Sequence, residues 1–493
     1  MKKNLFCTGF LLILSSAMVS QTQIGDDIDG QAANDNSGIS VSTSADGTTV
    51  AIGANGNDEN GYNSGQVRVY QKKNGMWSQI GQSINGEGIA DNSGISVSLS
   101  ADGTILAVGS VYHDTNYIDA GQVRVLKNIS GTWTQIGTAI NGHEESDYTG
   151  NSVSLSADGS ILAIGAYGNN TNGYDSGQVR VYKNIDDVWT QIGSNINGEA
   201  PGDQSGTTIA LSADGTIVAI GAPYNNGSGP VSGQVRIYRN TEDVWSQIGV
   251  DINGEAAYDY SSYNSVSWSA NGLIVAIGGF QNDGNGNNSG HVRVYQNIDN
   301  TWTQIGCDIN GEAPGDFSGI STSLSADGNI LAIGAYQNDG NGSNSGQVRI
   351  FKHIGTSWFQ IGADINGEAA LDYSGVAVSL SNDSNTIAIG AYQNSGHGFA
   401  SGNVRMYDIS TVLSTENFSS KTFVIYPNPT SDKTTITLQE NLQLEKVNIY
   451  NTLGQFIKTE KNNVINVTDF AKGSYFFEVI TNQGKATKTI VVE

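Results

Sequence analysis

Acidic side chains recur at fixed places in this chain, and they are the first candidates for chemistry. Asp35, Asp91, Asp147, Asp203, Asp259, Asp316 and Asp372 occupy equivalent positions of a phrase whose clearest form is INGEAPGDFSG, and Glu87, Glu199, Glu255, Glu312 and Glu368 stand four residues earlier. Brought together on one face, such residues would form a collar for a cation or a basic ligand. The competing reading is that each Asp accepts the backbone N–H groups of its own turn; its presence in every copy favours that role. A second pattern puts oxygen-bearing side chains at alternate positions: Asp283, Asn285 and Asn287, then Asp339, Asn341 and Ser343. This spacing resembles the opening of a calcium loop, although no distal bidentate Glu follows, and solvated turn residues have the same composition. Calcium is the one cofactor the sequence raises.

Catalytic groups are harder to find. The histidines, His113, His143, His291, His353 and His397, fall at unrelated positions, and neither HExxH nor Gly-x-Ser-x-Gly occurs. No catalytic constellation is expected on this basis, and the protein reads as a non-enzyme. Aromatic residues open most of the longer loops (Tyr112, Tyr167, Tyr224, Phe280, Tyr336, Tyr392) and could stack on sugars or cover the core. Seven of the eight Arg share one strand position, from Arg68 to Arg405, where pairing with neighbouring carboxylates or carbonyls is expected. Trp268 has no counterpart in the other copies.

These residues are positioned by an internal repeat. The Ile of QIG falls at Ile24, Ile80, Ile136, Ile192, Ile248, Ile305 and Ile361, a period of 56 with a single 57. Within a copy, NSVSLS alternates, ADG turns, SILAIGA is apolar on both faces, GQVRVYK alternates and VWTQIG alternates again, which makes four strands. Four-stranded units in seven copies predict an all-β chain: a seven-bladed β-propeller closed by the N-terminal strand, followed by a small β-sandwich. The opening QTQIGDDIDG is a lone fourth strand, and the last copy, ending in SGNVRMYD, lacks one; the first is expected to complete the last.

The expected domains are a signal peptide at 1–20, with its charged, apolar and small-residue regions, the propeller at 21–407, a linker at 408–422 and a C-terminal domain at 423–493. The net charge is −24, and it is uneven: residues 21–407 hold 13 basic and 38 acidic groups, whereas from Lys421 onward eight Lys face seven acids. An acidic repeat domain repels nucleic acid. No transmembrane segment is expected, and a monomer is.

The C-terminal segment resembles the sorting domain of type IX secretion cargo, on Pro427, Asn428 and Pro429, on Tyr450, Leu453 and Gly454, and on Gly473 and Tyr475. The resemblance implies export across an outer membrane through the type IX machinery, then surface attachment or release. The repeats resemble the FG-GAP, integrin α-type family through SGISVSLSADGTILAVGS, with Gly-Ala-Pro complete at Gly221, Ala222 and Pro223. The function expected is an exported binding or adhesion protein for a protein or glycan ligand; a secreted hydrolase or lyase, or a passive surface component, are the alternatives.

Overall fold

The computed structural model describes residues 21–115, 117–414, 423–438, 442–451, 455–481 and 484–493. The expected signal peptide, residues 415–422 of the expected linker, and Leu453 and Gly454 lie outside them. The chain divides between Ser410 and Thr411 into two compact units. No helix among the described residues is long and apolar enough to cross a membrane.

Local chemistry accounts for the elements of the first unit. In the third repeat, Ile161–Ala166 is buried along its whole length, and Gln178–Ile185 is buried for its first five residues before it emerges toward solvent. The turn ahead of Ile161–Ala166 is held by side chains: Ser156 Oγ donates to Asp158 Oδ1 (2.7 Å), which also accepts from the Ser160 N–H (2.9 Å), while Ser156 Oγ accepts from the Ile161 N–H (2.9 Å). Each repeat builds one antiparallel sheet in the order innermost, second, third and outer strand, as in Thr149–Leu155, Ile161–Ala166, Gln178–Ile185 and Val188–Gln191.

The cores lie between sheets. Val123 and Val125 of the second repeat pack with Leu162 and Ile164 of the third, and each tryptophan reaches back one repeat, as Trp133 Nε1 does in donating to the Ile80 carbonyl (3.0 Å). Sheets approach so closely that a Cβ on Gly109 would lie 2.0 Å from the Gly150 carbonyl oxygen. That contact explains the glycine of the ILAIGA phrase.

The expectation of a seven-bladed β-propeller is corrected. Backbone hydrogen bonding defines separate four-stranded sheets, some with a short extra outer segment, and among the described residues no sheet is closed into a ring. The ladders stop at each sheet's own edge strands, and neighbouring sheets meet through side chains and single backbone bonds such as that from the Ala101 N–H to the Ala157 carbonyl (2.8 Å), so the architecture is an all-β array of repeated four-stranded antiparallel sheets. The first strand of the chain extends the seventh of these sheets: Thr22 and Gln23 lie opposite Asp408 and Tyr407, and Ile28 lies opposite Val404. The second unit has a three-stranded and a four-stranded sheet sharing one core that includes Phe423, Ile436, Phe477 and Ile490.

Candidate functional site

The seven recurring aspartates are buried and engaged by their own loops. Asp35 Oδ2 accepts from the N–H groups of Gln31 and Ala32 (both 2.9 Å), and Asp316 Oδ2 from those of Glu312 and Ala313 (3.2 and 2.9 Å). Asp91, Asp147 and Asp372 also take two such bonds each, and Asp203 and Asp259 one. A side chain from the following long loop adds a further bond: Asn57 to Asp35, Asn169 to Asp147, and His113 to Asp91 at 2.9 Å. For Asp91 burial works upward, but the bonds from His113 and from the Gly88 and Glu87 N–H groups outweigh it and hold the carboxyl below its ordinary value.

The residues with calcium-like spacing sit in loops between the second and third strands. Asp283 Oδ1 accepts from the Asn288 N–H and Asp339 Oδ1 from the Asn344 N–H, both at 2.8 Å. Asn285 and Asn341 turn their amide nitrogens onto the carbonyls of Gly311 and Glu312 and of Gly367 and Glu368. The Asn287 carbonyl accepts from the Gly315 N–H (2.9 Å). The bonds of Asn285, Asn287 and Asn341 tie one loop to the next, and those of Asp283 and Asp339 brace their own.

A cavity of about 260 Å³ is lined by residues from the innermost segments of all seven repeats, among them Ile39, Ile95, Asn151, Thr207, Asn264 and Val376. Aromatic rings gather on the same loop side. Tyr224, Tyr260, Phe280, Phe317, Tyr336, Tyr373 and Tyr392 form a continuous chain of ring contacts at 5.4–6.0 Å, and Tyr112, Tyr148 and Tyr167 form a second. Alternate members follow the recurring Asp and are held in the left-handed region: Tyr148 (φ 55), Tyr260 (φ 48), Phe317 (φ 52) and Tyr373 (φ 53). Asn36 and Asn92 occupy the same place in the first two repeats, where that conformation is easier for the residue type. Tyr263 packs on Phe280 at 5.3 Å. Burial, then Tyr336 and Tyr112, raise its phenol; burial and neighbouring phenols, Tyr263 included, likewise raise Tyr167 and Tyr224.

At each junction between repeats, a third strand begins with an amide residue followed two places later by Arg. Arg236 Nη2 donates to the Asn197 carbonyl and Arg293 Nη2 to that of Asn253, both at 2.8 Å. The amide position holds Gln66, Gln122, Gln178, Gln234, Gln347 and Asn403, but His291 in the fifth repeat. There, one ligating atom each from Glu255, His291 and Asp308 come within 4.8 Å of one another. His291 Nδ1 lies 3.7 Å from Glu255 Oε2. The ring is 1% exposed, and neither of its nitrogens has a hydrogen-bond partner among the described residues. Burial, with Arg293 beside it, pushes the imidazole down to about 3, so it is neutral at physiological pH. Burial and then the Asp308 carboxylate push Glu255 up.

This group corrects the expectation that no catalytic constellation exists and that the protein is a non-enzyme. A buried His flanked by two carboxylates can hold a metal ion, and a metal centre is a possible catalytic site. It was missed because the three residues are far apart in the chain and only His291 breaks the pattern. One signal was available: His291 replaces an amide in the same repeat where Gly279 replaces the Ala or Ser found in every other copy.

In the second unit, Asn428 Nδ2 donates to the Thr489 carbonyl (2.9 Å) and its Oδ1 accepts from the Val491 N–H (2.8 Å). Pro427 accepts at its carbonyl from Thr434 Oγ1 (2.8 Å), Pro429 ends this Pro-Asn-Pro segment, and Tyr475, eight per cent exposed, donates to the Ala471 carbonyl (2.8 Å) just before Gly473 (φ 149).

Comparison with known proteins assigns both units. Residues 424–493 match the Secretion system C-terminal sorting domain, and residues 28–70 and 133–182 match the FG-GAP repeat. An ulvan lyase from Nonlabens ulvanivorans is 35% identical over 88 residues, a stretch that is 17% of this chain and 16% of that enzyme. A solved structure from Bacteroides uniformis, provisionally described as a 6-phosphogluconolactonase, aligns at 12% identity with a TM-score of 0.46, covering 67% of this chain and 85% of its own. The chain thus carries an FG-GAP repeat domain and a C-terminal type IX sorting domain, and it is a secreted or surface-exposed protein that engages the type IX machinery through that C-terminal domain.

Proposed function

We propose that this exported protein is a binding protein that takes an extracellular glycan on the tyrosine-rich loops beside the cavity of the repeat domain. The observation that carries the reading is the run of aromatic ring contacts from Tyr224 to Tyr392 across consecutive repeats, with Tyr263 packed on Phe280 within it. Tyrosine faces stack on the C–H surfaces of sugar rings while their hydroxyls exchange hydrogen bonds with the sugar's own. Four aromatic residues are held in the left-handed region, a conformation that bulky side chains seldom adopt, and such strain accompanies function. The recurring aspartates serve this reading by fixing the loops that carry the rings. The excess of acidic groups in the repeat domain favours neutral or cationic glycans over polyanions.

The full secreted chain, titrated against immobilised neutral and cationic polysaccharides, should bind at least one class. Tyr263→Ala should weaken that binding about 10-fold, equivalent to roughly 1.4 kcal/mol, without lowering the melting temperature. Binding that is untouched by Tyr263→Ala and Tyr167→Ala would remove the reading. The Glu255–His291–Asp308 group favours a second one, a secreted hydrolase or lyase with a metal centre. Depolymerisation of a bound polysaccharide that a chelator abolishes would establish it in place of simple binding.

A further inference from the structure

We propose that Glu255, His291 and Asp308 bind one divalent cation of the zinc class, through His291 Nδ1 and one oxygen of each carboxylate. Comparison of equivalent junctions carries the argument. In the seventh sheet the corresponding carboxylates are Glu368 and Asp27, and the amide nitrogen of Asn403 lies between them, 3.4 Å from Glu368 Oε2 and 3.0 Å from Asp27 Oδ2. An N–H donor there offsets the repulsion between two acids. In the fifth sheet the acids remain and the amide is gone. The group that replaces it is an imidazole with both nitrogens buried and without a hydrogen-bond partner among the described residues, Nδ1 facing Glu255. With His291 Nδ1 facing Glu255 and one donor atom from each of the three residues within 4.8 Å of the others, the spacing is that of ligands around a single metal ion.

The backbone is adapted to this exchange. A Cβ on Gly279 would lie 2.8 Å from His291 Nε2. The other repeats place Ala54, Ser110, Ala166, Ala222, Ala335 and Ala391 at that position, each with an amide residue as its partner across the strands. Histidine is accommodated only where the neighbouring Cβ has been removed.

The donor set decides the cation. One imidazole nitrogen with two carboxylates suits zinc and its first-row neighbours, whereas calcium and magnesium take oxygen alone. Three protein ligands leave a position open for water or substrate, and the Glu255 side chain, 45% exposed, leaves the site reachable from solvent. This inference concerns a different place from the tyrosine loops. It is also independent of catalysis: zinc binding without depolymerising activity would sink the second functional reading and leave this one standing.

Calorimetric titration of the full secreted chain with Zn²⁺ alone, at physiological salt to screen diffuse attraction, should show one saturable site that excess Ca²⁺ does not displace. His291→Gln restores the residue of five sibling repeats, so it should fold and melt like the wild type while losing the site. Glu255→Gln should lose it as well. Gly279→Ala, which crowds the ring without removing a ligand, should weaken Zn²⁺ binding roughly 10–100-fold. Absence of saturable Zn²⁺ uptake, displacement by Ca²⁺, or a site that survives in folded His291→Gln would each overturn the proposal.

Discussion

The fifth and sixth repeats share the lengths of their second and third strands and their Glu, Arg and Asp at the junction, yet they differ at a few coordinated places. Where the sixth has Leu324, Asp327, Ala335 and Gln347, the fifth has Trp268, Asn271, Gly279 and His291, and it carries one residue more around Tyr263 and Asn264. Two of the differences offset each other sterically, since Gly279 opens the space that His291 fills. A third keeps the hydrogen bonds and drops the charge: Asn271 Oδ1 accepts from Ser269 Oγ (2.7 Å) and from the Leu273 N–H (3.0 Å), as Asp327 Oδ1 does from Ser325 Oγ and the Asn329 N–H. The fifth repeat has therefore changed without losing the bonds that hold a repeat together. Repeats under one structural demand diverge freely only where a second change restores packing or pairing.

Trp268 tests this most severely. It is buried, packs against Trp302 with ring centroids 5.7 Å apart, and donates from Nε1 to the Ala210 carbonyl (2.8 Å). Trp268→Ala should cost about 3–5 kcal/mol in urea unfolding, and Trp268→Leu, which copies the sixth repeat, less. A free exchange to Leu would mean that the fifth repeat is not packed around its tryptophan.

Gly279 and His291 come next. Gly279→Ala alone should cost about 1–3 kcal/mol through crowding, and adding His291→Gln should recover most of it. Strictly additive effects in this cycle would show that the two positions are independent.

Acid sensitivity separates the turns. Burial acts to raise Asp327, but the Ser325 hydroxyl and the Asn329 N–H outweigh it, so its carboxyl is held below the ordinary 3.8. Its stabilising contribution is complete above that value and is lost as pH falls through the lower folded value. The difference in melting temperature between wild type and Asp327→Asn should accordingly shrink as pH drops below 3.8. Asn271→Asp in the fifth repeat should add a slope of the same sign.

The smallest effect concerns His113, which stands where the sixth repeat has Asn338. Its hydrogen bond to Asp91 raises it above 6.5 against the opposing effect of burial. The bond stabilises fully below 6.5 and fades as pH rises through the higher folded value. Wild type should therefore lose its small advantage over His113→Asn between mildly acidic and alkaline buffers; an advantage constant with pH would show that the pair is not charged.

Sequence alone determined what is local and periodic. The period of QIG, the alternation of GQVRVYK and the SADG turns named the strands and their order, because a strand's faces and a turn's side-chain bonds involve residues close in the chain. The Pro-Asn-Pro and Gly-x-Tyr words likewise named the sorting domain. Tertiary structure alone decided how the sheets are bounded and which side chains meet between them. Strand count cannot tell where a ladder ends, so the propeller expected from seven copies gave way to separate sheets. Nor could spacing reveal that Glu255, at the end of one repeat, faces His291 and Asp308 of the next. Each of the three conforms to or departs from its repeat separately, and the chemistry arises only when packing across a junction buries the His291 imidazole beside the two acids.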